Sequence, residues 1–119
     1  MKEQRQDLGK RTKEFALRII RLYSSLPKTT EAQVMGKQVL RSGTSVGAHY
    51  REARRAKSDA DFINKIEGAL QELDETSYWL ELLVESGIVK AEKLQPLLSE
   101  CDELTAMFVT MVKNVKIKK

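Results

Sequence analysis

The chain has one histidine, one cysteine, 17 acidic side chains and 21 basic ones from which to build a site. Di-metal sites in helical proteins need paired Glu-x-x-His motifs projecting into a bundle. Here His49 is followed by Glu52 in the reverse order, and a single imidazole cannot complete such a set. His49 therefore reads as a satisfied interior or groove-edge histidine. Cys101 falls on an apolar seam with no base in register to activate it, so it reads as a small core hydrophobe. Glu72 and Glu75 have the spacing of an acid pair, but on so charged a helix they read as solvated or ion-paired. Gly43-Thr44-Ser45-Val46-Gly47 is rich in glycine, yet no strand precedes it to make a phosphate-cradling loop. The expectation is a protein with no catalytic residues, no metal and no cofactor.

The basic side chains are different, because they are ordered. On a helical wheel Lys37, Arg41, Thr44, Ala48, Arg51 and Arg55 share a face free of carboxylates, and Arg54 and Lys57 extend it. Arg11, Arg18 and Arg21 form another stripe upstream. A solvated face usually mixes signs, whereas a one-sign stripe on a rigid rod is the footprint of a nucleic-acid backbone. Arginine predominates, which suits bidentate phosphate contacts. The expected nucleic-acid surface is Arg18, Arg21, Lys37, Arg41, Arg51, Arg54, Arg55 and Lys57. The alternative is a scaffold that docks a partner protein. Residues 1–57 hold 14 Lys/Arg against 5 Asp/Glu, a net of +9, and residues 58–119 hold 7 against 12, a net of −5. Glu67, Gln71, Asp74, Tyr78, Glu81 and Glu85 make an acidic face without a basic residue of its own. Opposite faces on one small protein can pair between copies, with Tyr78 and Trp79 as anchors. Glu67, Asp74, Tyr78, Trp79 and Glu81 are the expected subunit interface.

Positioning these faces requires rods. The 119 residues suffice for one domain, 1–119, and 6% aromatic content with six glycines and two prolines argues against a barrel or sandwich. With 41% apolar residues the chain can fold, and one cysteine excludes a disulfide scaffold. No apolar run is long enough to span a membrane, and Met1–Lys10 is too polar for a signal peptide, so a cytoplasmic protein is expected.

Apolar residues recur three and four apart in four segments. Leu8, Phe15, Ile19, Leu22 and Leu26 lead to a stop at Pro27. A second helix starts at Thr30, where Thr30-x-x-Gln33 has capping-box spacing, with Ala32, Met35, Val39, Ser42, Val46, Ala53 and Ala56 as its seam. Gly36, Gly43 and Gly47 on one flank imply that another backbone approaches there. A turn at 41–45 is the alternative, and the unbroken period favours the helix. Ser58-x-x-Asp61 caps a third helix with Phe62, Ile66, Ala69, Leu73, Thr76, Leu80 and Leu83 as seam and Gly87 as stop. The fourth carries Leu94, Leu97, Leu98, Cys101, Leu104, Phe108, Met111, Val112 and Val115. Its start is open around Pro96, with Ser99 as a later possibility. Lys113, Lys116, Lys118 and Lys119 suit its C-terminal dipole. Long helices with short connections predict an all-α, antiparallel up-down-up-down four-helix bundle.

Residues 40–53, Leu-Arg-Ser-Gly-Thr-Ser-Val-Gly-Ala-His-Tyr-Arg-Glu-Ala, together with Ser58, Asp61-Phe62 and Tyr78-Trp79-Leu80, resemble the signature of the 23S ribosomal RNA intervening-sequence proteins. The resemblance runs from about Leu8 to Val115. His49 departs from it, standing where the family pattern usually has asparagine. The resemblance implies a four-helix bundle assembled as a homo-oligomeric, pentameric ring and encoded within insertions in bacterial ribosomal RNA genes or as a free-standing gene. It also implies kinship with accessory proteins of diversity-generating retroelements, which bind nucleic acid and a reverse transcriptase through a basic surface. By that resemblance Arg41 and Arg51 carry the basic role. The small residues from Ser42 to Ala48 then pack closely, either within the bundle or between subunits.

Overall fold

A computed structural model of the chain describes residues 2–118, with side chains from Leu8 onward. Four helices follow one another: α1 (Lys2–Ser25), α2 (Thr30–Arg54), α3 (Asp59–Glu85) and α4 (Ala91–Ile117). Each packs on the next, and α1 returns to α4, which closes an antiparallel bundle 49 Å long and about 20 Å across. The α1–α4 contact is the sparsest of the four.

The apolar seams meet along the axis. Phe15 and Ile19 of α1, Val39, Val46 and Tyr50 of α2, Ile66, Leu73 and Leu80 of α3, and Leu94, Leu104 and Phe108 of α4 are all buried. Tyr50 and Phe108 pack ring against ring, with centroids 5.7 Å apart. Cys101 is a buried free thiol on the α4 seam. Loss of solvation pushes it up to about 11, against a smaller opposing effect from a hydrogen bond with Ser77, so it stays protonated at neutral pH.

Local chemistry sets the ends. The cap of α2 lies one residue earlier than the sequence pattern predicts: Thr29 Oγ1 accepts from the Ala32 amide, and Thr30 is already helical. Gln33 completes no capping box. Its amide nitrogen donates to the Pro27 carbonyl and its oxygen accepts from Tyr23, tying the α1–α2 connection to both helices. Ser58 caps α3 as expected, accepting from the Asp61 amide, and Asp61 accepts in return from the Lys57 amide. Gly87 stops α3 at a φ of 80°, with Ile88 donating to Leu83 and Gly87 to Val84, the paired bonds of a left-handed helix end. Helix α4 begins at Ala91, without a side-chain cap, and runs through Pro96 in its second turn. Ser99 is therefore interior, and no later start occurs. Of the C-terminal lysines, Lys119 lies outside the described residues.

The glycine flank of α2 faces α1. A Cβ at Gly43 would lie 2.8 Å from Ile19 Cγ1, one at Gly36 would lie 2.6 Å from Leu26 Cδ1, and one at Gly47 would lie 3.3 Å from Thr12 Oγ1. On the adjoining face Ser42 accepts a buried 2.8 Å hydrogen bond from Thr76 of α3, whose hydroxyl also lies 2.7 Å from the Glu72 carbonyl. Ser42, Gly43 and Gly47 thus pack within the bundle, which decides between the two roles left open for this run at those positions. Gly43→Ala is expected to destabilise the fold by about 1–3 kcal/mol, because Ile19 is walled in by other core side chains. Urea unfolding followed by circular dichroism measures it.

Candidate nucleic-acid interface

The antiparallel α1–α2 hairpin sets the beginning of α1 beside the end of α2. The cleft between them is lined by Lys10 and Lys13 from α1, by Arg51 and Arg54 from α2 and by Arg55 at its C-cap, together with Gly9, Thr12, Thr44, Gly47, Ala48 and Tyr50. Gly9 leaves room for the Arg54 guanidinium, whose Nη1 lies 3.3 Å from where a Cβ would stand. No ion pair joins any of these five cations to a carboxylate among the described residues. Glu52 is the one acid on the wall among the described residues, and it lies near His49, at 3.8 Å, and Lys65, at 4.0 Å. Lys57 sits in the neighbouring depression with Arg54, Phe62 and Lys118.

The expected stripe is not continuous. Arg18 and Arg21 lie toward the opposite end of the bundle, in a groove between α1 and α4 with Lys90 and Lys93. Lys37 is exposed on α2 and lines neither groove. Arg41 turns toward α3, where its guanidinium meets Glu75 at 2.6 Å and Glu72 at 3.3 Å. Arg11 is likewise spent inside the bundle. It grips Glu100 at 2.6 Å and Glu103 at 3.0 Å on α4, and the hydrogen bond to Glu100 raises its pKa further above the ordinary arginine value. The sequence reading missed Lys10 and Lys13. Their three-residue spacing and the hairpin geometry were the available signal, since an antiparallel partner must bring the start of α1 to the end of α2.

His49 stands at the α2–α3 edge, with Nε2 3.6 Å from Glu72 and Nδ1 buried without a hydrogen-bond partner among the described residues. It is a groove-edge histidine, as expected, but not a satisfied one. Gly68 of α3 admits the ring, for a Cβ there would come within 2.9 Å of Nδ1.

The expected interface residues divide as well. Asp74 and Glu81 line a depression between α3 and α4 with Asp102, Ser77 and Thr105. Tyr78 is 55% exposed and meets Trp79 edge to face, 5.2 Å between centroids. Trp79 is packed against the core, with its indole nitrogen buried and unpartnered among the described residues. Glu67 is not in purely acidic surroundings, because Lys116 of α4 reaches within 3.9 Å of it.

Fold and surface together define a small antiparallel four-helix bundle with a cationic cleft on one edge and an acidic depression on another. The pattern of the family described as 23S rRNA-intervening sequence protein matches residues 4–110, and the chain belongs to that family. It is also similar to a protein of unknown function from the S23 ribosomal protein family of Bacteroides thetaiotaomicron, known from a crystal structure. The two are 41% identical over 92% of this chain and 98% of the other, with a TM-score of 0.87. No curated protein matches the chain. No helix among the described residues is long and apolar enough to cross a membrane.

The two pairings of Arg41 separate its role from that of Arg51. Arg41→Ala should lower stability by about 1 kcal/mol, because Glu72 is largely shielded from water and loses its partner. Arg51→Ala should leave the thermal midpoint within a degree or two, about the effect of a neutral surface change. Paired melting curves report both.

Proposed function

We propose that this protein is a non-enzymatic, cytoplasmic nucleic-acid-binding module that grips the phosphate backbone of RNA or DNA in the α1–α2 cleft. One observation supports the reading above the others: Lys10, Lys13, Arg51, Arg54 and Arg55 converge across one seam without carboxylate partners among the described residues. Cations without carboxylate partners among the described residues gain little from the fold itself, and the packing of α1 on α2 sets them in register for a polyanion. Arg41 leaves the expected set, because its charge is neutralised by Glu72 and Glu75. Arg18 and Arg21, with Lys90 and Lys93, offer a second and separate contact region at the far end.

Backbone binding releases condensed counterions, so the logarithm of affinity should fall linearly with the logarithm of salt concentration, by about 0.9 for each phosphate neutralised on a duplex. Replacing Arg51, Arg54 and Arg55 together by alanine should reduce that slope by about two to three units. Arg41→Ala should leave it unchanged. A flat salt response of the unaltered protein, measured by fluorescence anisotropy, would falsify the proposal.

The second reading, an assembling scaffold, draws on the acidic depression around Asp74, Glu81 and Asp102 and on the exposed Tyr78 beside it. Its charge is complementary to the cationic grooves, and a second copy of the chain, up to a ring of five as family resemblance implies, would pair the two. Glu81→Lys should then shift the mass seen by light scattering from oligomer toward monomer. Glu67→Lys should do less, since Glu67 is already beside Lys116. A monomer for the unaltered protein at micromolar concentration removes this reading.

A further inference from the structure

The placement of the aromatic residues says which form of nucleic acid the cleft can hold. Proteins that bind single strands without sequence preference combine a cationic groove with exposed aromatic rings on which bases stack. This chain has three tyrosines, three phenylalanines and one tryptophan, and all of them lie within the described residues. Phe15 and Phe108 are fully buried. Tyr50 lines the cleft but is 1% exposed and packs on Phe108. Tyr23 sits at the far end of the bundle, held by Gln33. Tyr78 and Trp79 stand on α3 beside the acidic depression. Phe62 comes nearest, in the depression that holds Lys57, but it is partly buried and packed against the core.

The cleft therefore offers charge without a stacking platform. Resting on the proposed phosphate-binding role, we infer that its ligand is double-helical, either duplex DNA or duplex RNA, read by its backbone and not by its bases. The charge arithmetic points the same way. A duplex presents more phosphate charge per unit length than a single strand, and each neutralised phosphate contributes about 0.9 to the salt slope on B-form DNA but about 0.7 on a single strand. For the five cations of the cleft, that difference amounts to about tenfold in relative affinity for each tenfold drop in salt. No stacked ring offsets the loss on the single strand.

The test uses the full-length protein and four labelled probes of equal strand length: duplex DNA, duplex RNA, poly(dT) and poly(U). Binding is followed by anisotropy from 1 M down to 0.1 M salt. The expected result is a preference for duplex over single strand that widens by about tenfold across the series, and by only about fourfold in Arg51→Gln/Arg55→Gln protein of unchanged melting temperature, where Lys10, Lys13 and Arg54 remain. The DNA and RNA arms show which double helix is preferred, and tighter binding of either duplex supports the inference. Single strands bound as tightly as duplexes overturn it, as does a Phe62→Ala variant that weakens only single-strand binding, since that would reveal a stacking site. Duplex binding that ignores the double glutamine change removes the cleft as the site. Binding to none of the four probes overturns the phosphate-binding reading itself, which the single-strand outcomes leave standing.

Discussion

The close approach of α1 to α2 is the constraint on which the surface chemistry depends. Gly36, Gly43 and Gly47 let Leu26, Ile19 and Thr12 lie where methyl groups would otherwise stand. Each glycine inside a helix costs about 1 kcal/mol relative to alanine, so the sequence accepts an intrinsically weaker α2 in exchange for contact along its length. The functional consequence lies at the end of the seam. With the two rods held this close, Lys10 and Lys13 come to face Arg51 and Arg55 across one cleft, and like charges that would separate in a looser hairpin are kept together by core packing some turns away.

Charge segregation along the chain becomes segregation in space by the same geometry. The basic excess belongs to α1, α2 and the residues that flank them, the acidic excess to α3, which holds eight Asp/Glu against one lysine, while α4 is nearly balanced. Where a basic helix meets acidic side chains, the ions neutralise each other: Arg41 with Glu72 and Glu75 across α2–α3, and Arg11 with Glu100 and Glu103 across α1–α4. The Arg11 clasp also reinforces the sparsest helix contact in the bundle. At the α1–α2 seam two basic helices face each other, and the cations of the cleft there have no carboxylate partner among the described residues, while Arg18 and Arg21 with Lys90 and Lys93 form a second cluster at the far end between α1 and α4. The acidic depression between α3 and α4 forms where the acidic face of α3, with Asp74 and Glu81, meets Asp102 of α4.

The architecture was legible because it depends on periodicity, and periodicity survives in a sequence. The seams of α3 and α4, the Ser58 cap and the Gly87 stop all occur as the residue pattern requires. The α2 cap at Thr29 was missed by one residue because two adjacent threonines compete and Gln33 turns to the preceding connection. The candidate face was only half legible. A wheel shows which residues share a side of one helix, but not which neighbouring helix that side meets. Arg41 and Arg51 look equivalent on α2, yet one meets the carboxylates of α3 and the other the lysines of α1. Lys10 and Lys13 stayed hidden for the converse reason, since their partners lie some forty positions away.

Glu52, the acid that lines the cleft among the described residues, shows how far the site's field depends on residues outside it. Glu52 shares the wall with Arg51 and Arg55, and directed at them it would neutralise part of the cluster. Instead it lies between His49 and Lys65, toward α3. His49 can occupy that position only because Gly68 gives its ring room, a side chain there coming within 2.9 Å of Nδ1. The glycine on α3 thus bears on a cleft it does not line, because it gives room to His49, one of the two groups beside which Glu52 lies. In a bundle this thin, the potential of one seam is set partly by the packing of the next.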